Sequence, residues 1–247
     1  MSACSAILDK IAGVRHGFGD AATLFPTPLL PWEHSATIKK QVHGTAIYHV
    51  THPAQACGEA DGLITSTPGV LLHVLTADCL PILLCRQDGK RIGVVHAGWR
   101  GLLAGIIEAF AAQISRPDSP ANWVAAIGPA AGPCCYEVSD ALAEDFLRHL
   151  AIPAHVVQPR PRHLALAAIA VYKLKALGFT TVDNLNRCTI CATDGQNYRY
   201  TSYRRYTRQR ASDPTCPPIS GRNQYSGLVI MDAAHPHMTG GETHKPR

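Results

Sequence analysis

Three short runs of the chain each place a possible metal ligand beside a glycine or a proline. They are KQVHG (residues 40–44) with His43, TADCLP (76–81) with Cys79, and HAGWRG (96–101) with His96. Two imidazoles and one thiolate suit zinc and leave a fourth coordination position open, as in catalytic zinc sites; the same set could hold one copper ion. Because the three residues lie far apart in the sequence, the prediction depends on their shared position at strand ends. The pattern indicates an enzyme.

Asp78 stands directly before Cys79 and has two possible roles. A carboxylate at this point could orient a metal ligand or accept a proton during catalysis. It could equally cap the loop. We keep Asp78 as a candidate catalytic residue together with Cys79 and His96.

Continuous apolar runs predict the elements that position these residues. Such runs are typical of strands that are covered on both faces. We predict strand structure over residues 37–50, with an interruption at residues 43–44. Further strands are predicted at 70–75, 82–85, 91–95, 122–127, 180–183 and 225–231. Helices are predicted at 101–114, from a cap at Ser139 to residue 150, and at 164–177. The fold class is therefore mixed α/β (α+β), a single-domain layered sandwich of mixed β-sheets flanked by helices. One catalytic domain is expected over residues 1–231, with a mobile tail at 232–247.

Composition narrows the class of protein. The chain has 247 residues, of which 46% are hydrophobic and 17% charged, so a large buried core is expected. Nine cysteines, an odd number, argue against a secreted disulfide framework, and residues 1–10 do not resemble a signal peptide. We expect a cytoplasmic protein with no membrane partner. The net charge of +5 comes partly from arginines at 199–210, which suit a phosphate or nucleotide substrate better than nucleic acid.

Two cysteine pairs, Cys134-Cys135 and Cys188-Thr189-Ile190-Cys191, stand apart from the predicted metal ligands. A structural zinc site needs a second spaced pair, whereas Cys134 and Cys135 are adjacent. We therefore expect these four cysteines to pack or to line the substrate side. Motifs of metalloproteases, of the usual zinc nucleobase deaminases and of nucleotide-binding loops are absent from the sequence.

Seven runs, in order, resemble one family. They are KQVHG (40–44), ADG (60–62), TADCLPILL (76–84), HAGWRG (96–101), GPAAGPCCYEV (128–138), SYRR (202–205) and GR (221–222). Together they resemble the laccase-domain family, also called multicopper polyphenol oxidase or YfiH-type. The resemblance implies a purine nucleoside phosphorylase with adenosine deaminase and methylthioadenosine phosphorylase activity, acting on a small nucleoside and phosphate.

The resemblance also implies zinc at His43, Cys79 and His96. Substrate-binding candidates within the matching motifs are Gln41, Arg100, Arg204 and Arg205. If Arg204 and Arg205 lay on a strand, their side chains would point to opposite faces, so only one could enter the site.

Three alternatives stay open at this stage. One is a copper-dependent polyphenol oxidase. Another is a Cys/His hydrolase with Cys79 as nucleophile and His96 as base, which the implied likeness to a deamidating toxin domain supports. The third is a non-catalytic interaction module. The sequence does not fix the oligomeric state.

Overall fold

The computed structural model describes residues 3–115, 118–217 and 219–232. The strands, in chain order, are β1 (Val14–Phe18), β2 (Ile38–Lys40), β3 (Ile47–His49), β4 (Ala56–Glu59), β5 (Gly62–Thr65), β6 (Leu72–Thr76), β7 (Leu80–Arg86), β8 (Ile92–Ala97), β9 (Trp123–Ile127), β10 (Thr181–Asn184), β11 (Thr193–Asp194), β12 (Asn197–Tyr198) and β13 (Gln224–Ile230). The α-helices are α1 (Trp99–Ala104), α2 (Ile106–Ile114), α3 (Asp140–His149), α4 (Ala154–Val157), α5 (Leu166–Ala176) and α6 (Tyr203–Ser212).

A six-stranded mixed sheet forms the centre, in the order β10-β9-β7-β8-β5-β3. Its outer pairs, β10 with β9 and β3 with β5, are parallel, and the inner pairs are antiparallel. A three-stranded antiparallel sheet, β1-β13-β6, packs on one face, and helices cover the other. The predicted mixed α/β single-domain sandwich is confirmed.

Alternation along the central strands explains their continuous apolar sequences. On β7, Ile82 and Leu84 pack with the helices, whereas Leu83 and Cys85 pack towards the three-stranded sheet. Both sets are buried, so no position on these strands needs a polar side chain. At about 25 cal/mol per Å² of apolar area, this double burial is the main driving force for the fold.

Two predicted elements need correction. The helix predicted at 101–114 is two helices, because Gly105 takes a left-handed conformation (φ +93°) between α1 and α2. Arg204 and Arg205 lie on α6, not on a strand. Ser202 begins α6 by accepting a hydrogen bond from the amide of Arg205.

Other predictions hold in outline. Ser139 caps α3 by accepting a hydrogen bond from the amide of Leu142. The strands predicted at 70–75, 122–127, 180–183 and 225–231 correspond to β6, β9, β10 and β13, shifted by one or two residues. The tail predicted beyond residue 231 falls almost wholly in 233–247, outside the described residues, so that boundary stays a prediction. Among the described residues, no helix has the length and apolarity needed to cross a bilayer.

Candidate active site

Antiparallel pairing brings Cys79 and His96 together. β7 begins one residue after Cys79, and β8 ends one residue after His96. The register pairs Leu80 with Ala97 and Pro81 with His96, so the two candidate ligands reach the same end of the sheet. The thiol and the imidazole therefore become neighbours although 17 positions of sequence separate them.

His43 reaches this point through a tight turn between β2 and β3. Its backbone is left-handed (φ +61°), which is unusual for a residue other than glycine. The turn is held by Asp61, whose carboxylate accepts hydrogen bonds from the amides of Val42, His43 and Gly44 at 3.2, 3.0 and 2.7 Å. The His43 and His96 rings meet edge to face with centroids 4.8 Å apart.

The same Asp61 carboxylate orients His96. Nδ1 of His96 donates to Oδ1 of Asp61 at 2.7 Å, and the pair is almost completely buried. Because Nδ1 is used in this bond, Nε2 is the nitrogen left to bind a metal. A carboxylate behind a histidine ligand is the usual arrangement that fixes the ring and raises its basicity.

The geometry of the three side chains fits a metal ion. Their candidate ligand atoms all lie within 4.8 Å of one another. Tetrahedral zinc, with bonds of about 2.0 to 2.3 Å, separates its ligand atoms by about 3.3 to 3.8 Å. Gly98 keeps the space clear, since a Cβ there would lie 2.7 Å from Cδ2 of His43 and 3.0 Å from Sγ of Cys79. These residues could hold a metal with only small side-chain movements.

The ionisation of Cys79 and His43 also favours a bound metal ion. Burial, followed by the charges of Asp78 and Asp61, raises the pKa of the Cys79 thiol to about 12. A thiolate at Cys79 therefore needs a cation beside it, which a metal would provide. Burial and the neighbouring His96 lower the pKa of His43, so its ring is neutral and able to coordinate. A free nucleophilic thiolate, as the hydrolase alternative requires, is disfavoured.

A cavity of about 630 Å³ opens beside these side chains. This volume is large enough to enclose a small molecule such as a nucleoside. Three aromatic residues, Trp99, Tyr136 and Tyr203, form part of its wall. Polar residues that also line it are Lys39, Gln41, His73, Asp78, Arg100, Arg204 and Asn223.

The three candidate arginines are not equivalent. Arg100 is exposed, stacks on Trp99 with 4.4 Å between guanidinium carbon and ring centroid, and makes no ion pair within the described part of the chain. Arg204 also lines the cavity, over the ring of Tyr136 at 5.1 Å, and donates to the carbonyl of Glu137. Arg205 faces a separate cavity and donates to the backbone carbonyls of three residues, Thr189, Ile190 and Tyr200. Only Arg204 of the pair enters the site.

Gln41 and Asp78 are at the site, but their polar atoms are already used. The Gln41 amide bonds to the amide and carbonyl of Leu75, both at 2.8 Å. Asp78 accepts hydrogen bonds from Thr189 Oγ1 at 2.6 Å, Ser202 Oγ at 3.1 Å and the Arg204 amide at 2.7 Å. These contacts favour a positioning role for both, and their predicted roles in binding and catalysis stay predictions.

This combination of motifs and geometry agrees with comparisons to known proteins. Residues 23–212 match the profile of a family described as multi-copper polyphenol oxidoreductase laccase. The chain belongs to this laccase-domain family. A Shigella flexneri protein named purine nucleoside phosphorylase YfiH is 36% identical over 168 residues, which span 67% of each chain. A Pseudomonas aeruginosa protein named purine nucleoside phosphorylase PA4543 is 37% identical over 173 residues, which span 68% of each.

Two solved bacterial structures share the fold. YlmD from Geobacillus stearothermophilus matches with a TM-score of 0.73 and 24% identity, covering 92% of this chain and 94% of that one. YfiH from Bacillus licheniformis matches with a TM-score of 0.72 and 22% identity, covering 88% and 92%. At these identities the likeness establishes the architecture alone.

Sequence reasoning missed several residues of the site. Asp61 was visible only as part of the ADG run, although an aspartate before a buried strand is a signal for a hydrogen-bonded carboxylate. Lys39 and His73 lie outside the seven runs, and Tyr136 was visible only as part of the GPAAGPCCYEV run. They enter the cavity because β2, β6 and the loop after β9 end beside it.

Proposed function

We propose that the protein is a zinc-dependent purine nucleoside phosphorylase, a transferase that moves the ribosyl group of a nucleoside to phosphate. The observation that carries the proposal is the Asp61-oriented group of His43, Cys79 and His96, which opens into a cavity that cationic side chains line. The names of the curated relatives supply the substrate class.

His43, Cys79 and His96 would hold the zinc, with two neutral imidazoles and one thiolate as protein ligands. Zinc in such a site supplies Lewis acidity and a net positive charge next to an anionic co-substrate. The cavity beside it keeps that charge away from bulk solvent, where screening would weaken it.

Phosphorolysis requires a phosphate oxygen to attack C1′ of the ribose while the bond from C1′ to N9 of the purine breaks. The electron pair of that bond goes to the purine, which takes up a proton. Arg100 and Arg204 are placed to bind and orient phosphate, because both guanidiniums line the cavity. Trp99, Tyr136 and Tyr203 offer flat apolar surfaces for the base or the sugar.

His73 is a candidate for contact with the base. Its ring is 8% exposed and lines the cavity, and its Nδ1 has no hydrogen-bond partner among the described residues. Burial lowers the pKa of His73 to about 3, so the ring is neutral. A neutral imidazole offers a hydrogen bond to a purine nitrogen without adding a charge.

Adenosine deamination and methylthioadenosine phosphorolysis are proposed as secondary activities of the same cavity. Deamination replaces the amino group at C6 of the purine by attack of water. It shares the purine pocket with phosphorolysis but does not use the phosphate. We expect the enzyme to bind a nucleoside and phosphate, and neither a nucleic acid nor a membrane. We also expect it to be cytoplasmic.

The polyphenol oxidase alternative rests on the description of the family. The ligand set of His43, Cys79 and His96 could hold one copper. A trinuclear copper cluster needs several histidine pairs, and the other two candidate metal groups among the described residues contain a single histidine, His16. The pair His235 and His237 lies outside the described residues.

The deciding assay measures base release from inosine, adenosine and methylthioadenosine under argon, with and without phosphate, by chromatography. We expect free base only when phosphate is present, together with ribose 1-phosphate from inosine and adenosine and 5-methylthioribose 1-phosphate from methylthioadenosine. Inosine should form from adenosine with or without phosphate. Oxidation of a phenol that requires oxygen, together with no base release, would replace this proposal with the oxidase.

A further inference from the structure

Four cysteines from two loops meet outside the cavity. Cys134 and Cys135 follow β9, and Cys188 and Cys191 follow β10. Their four Sγ atoms lie within 4.8 Å of one another, and those of Cys134 and Cys191 are 3.6 Å apart. Pairs that are 53 or more positions apart in sequence have therefore been brought to one point, which the sequence did not indicate.

The sulfur spacing suits a shared metal ion. A disulfide requires about 2.05 Å between its sulfur atoms. Four thiolates around a tetrahedral zinc, at about 2.3 Å each, lie about 3.8 Å from one another. The Cys134–Cys191 distance of 3.6 Å agrees with the second arrangement. Adjacency of Cys134 and Cys135 is no obstacle, because the turn that they occupy already directs both sulfurs into the cluster.

The backbone beside the cluster leaves room for the sulfurs and contacts one of them directly. The Gly132 amide donates to Sγ of Cys188 at 3.3 Å. A Cβ at residue 132 would lie 3.2 Å from Cβ of Cys188 and 3.4 Å from Sγ of Cys134, a close contact that the glycine avoids.

A short backbone ladder fixes the two loops in register. The Ala130 amide donates to the carbonyl of Arg187 at 3.0 Å, and the Thr189 amide donates to the carbonyl of Ala130 at 2.9 Å. The two cysteine pairs are thus held opposite each other by contacts that do not involve sulfur. A site that is assembled before the metal arrives loses less entropy on binding.

We propose that Cys134, Cys135, Cys188 and Cys191 bind a second metal ion, a thiophilic divalent cation of which zinc is the first candidate. Four protein ligands complete its tetrahedral shell, so this site is closed and structural. The ion cross-links the loop after β9 to the loop after β10. The proposal does not depend on the nucleoside reaction.

The second metal site supports the active site through the residues between Cys188 and Cys191. Thr189 donates its hydroxyl to Asp78, the residue before Cys79, at 2.6 Å. Arg205 donates to the carbonyls of Thr189 and Ile190. Loss of the ion would therefore loosen Asp78 and the start of α6. The thiolate site has a positioning effect on the cavity without touching substrate.

Metal analysis of the full chain tests the proposal. Protein purified without chelators, under a phosphine reductant, should contain about two zinc equivalents per chain, and Cys191→Ser about one. Cys79→Ala should also retain about one equivalent, and the double variant almost none. Cys216→Ser, which changes a cysteine outside both groups, should keep the wild-type content.

A second measurement does not depend on whether a cluster variant folds. Cys79→Ala, reconstituted with Co²⁺, should show the intense sulfur-to-metal charge-transfer bands of a tetrahedral tetrathiolate, because its four-cysteine cluster is intact. The proposal would be overturned if the wild-type protein contained one zinc equivalent and Cys191→Ser contained the same amount. A disulfide among the four cysteines in freshly reduced protein, or a Co²⁺ spectrum without thiolate bands in Cys79→Ala, would also overturn it.

Discussion

The two cysteine-containing groups lie at the same end of the six-stranded sheet, yet their surroundings differ in every respect that matters for chemistry. The first group combines His43 from the turn between β2 and β3, Cys79 directly before β7 and His96 near the end of β8, and it opens into the large cavity. The second group, the four cysteines, follows β9 and β10 and is absent from the lining of that cavity. Ligand type and access, more than position in the fold, separate a reactive site from a cross-link.

Charge sharpens this contrast. One thiolate and two neutral imidazoles leave a divalent ion with a net positive charge, which attracts phosphate. Four thiolates around the same ion give a net negative charge, which repels phosphate. The free guanidinium of Arg100 lies beside the first group. An anionic co-substrate is therefore expected only at the group of His43, Cys79 and His96, which we call the mixed site because it combines imidazole and thiolate ligands.

The largest expected effect is the loss of a ligand from the mixed site. His96→Ala should abolish turnover and remove the metal of this site, while the four-cysteine cluster keeps its own. The ring of His96 is only 3% exposed and bonded to Asp61, so its removal also leaves a buried carboxylate with fewer partners. The free energy of unfolding should fall as well, because the His96 ring is buried.

His43→Asn separates chemistry from stability. His43 is less buried, and asparagine accepts its left-handed backbone without much strain. This variant should lose turnover by orders of magnitude with nearly normal thermal unfolding, measured by circular dichroism. Nucleoside turnover at the wild-type rate in well-folded His43→Asn would exclude the metal mechanism.

A smaller effect is expected when the ligands are kept and their support is changed. Asp61→Asn retains the shape of the side chain but removes the charge that faces His96 Nδ1. Loss of such a support typically costs about 10- to 100-fold in metal affinity or activity. Competition with a chromogenic chelator measures the affinity of the mixed site in a Cys191→Ser background. Equal affinities with and without Asp61→Asn would show that the carboxylate serves only the turn at residues 42–44.

The fold was largely predictable because burial on both faces of the sheet leaves a strong signal. The apolar run at 82–85 falls within β7, and the run at 91–95 begins one residue before β8. Breaks that depend on a single backbone conformation were not predictable: the apolar period continues through Gly105, where the chain turns from α1 to α2. The sequence did not predict α6, because none of its residues is buried and no apolar periodicity therefore marks the helix.

The candidate site was predictable for ligands that stand in distinctive runs and unpredictable for partners that meet only in space. His43, Cys79 and His96 are brought together as expected. The role of Asp61 required the register that places its carbonyl 2.7 Å from the amide of His96. The four cysteines were expected to pack or to line the substrate side. Cys134 and Cys135 are adjacent in sequence, and the sequence alone does not show that their side chains meet those of Cys188 and Cys191.

Arg204 and Arg205 offer a matched comparison on one helix. Arg204→Gln should raise the Michaelis constant for phosphate by about tenfold or more, as expected for a charged hydrogen bond worth about 1.5–3 kcal/mol. Arg205→Gln should leave that constant close to the wild-type value and lower the melting temperature, because Arg205 holds backbone carbonyls and stacks on Tyr198 at 3.8 Å. The opposite assignment of the two effects would mean that the anion binds on the other side of α6.

The smallest expected effect concerns pH and Lys39. Burial lowers the pKa of this cavity lysine to about 8, so its ammonium is charged below that pH and becomes neutral above it. If the charge helps to bind phosphate, the Michaelis constant for phosphate should rise a few-fold as the pH increases from 7 to 9, while that for the nucleoside changes less. Phosphate is already a dianion over most of this range, so its own titration does not explain such a rise. Lys39→Met should give the higher constant at both pH values and flatten the profile. If the Michaelis constant for phosphate still rose with pH in Lys39→Met, the titration would belong to another group beside the cavity.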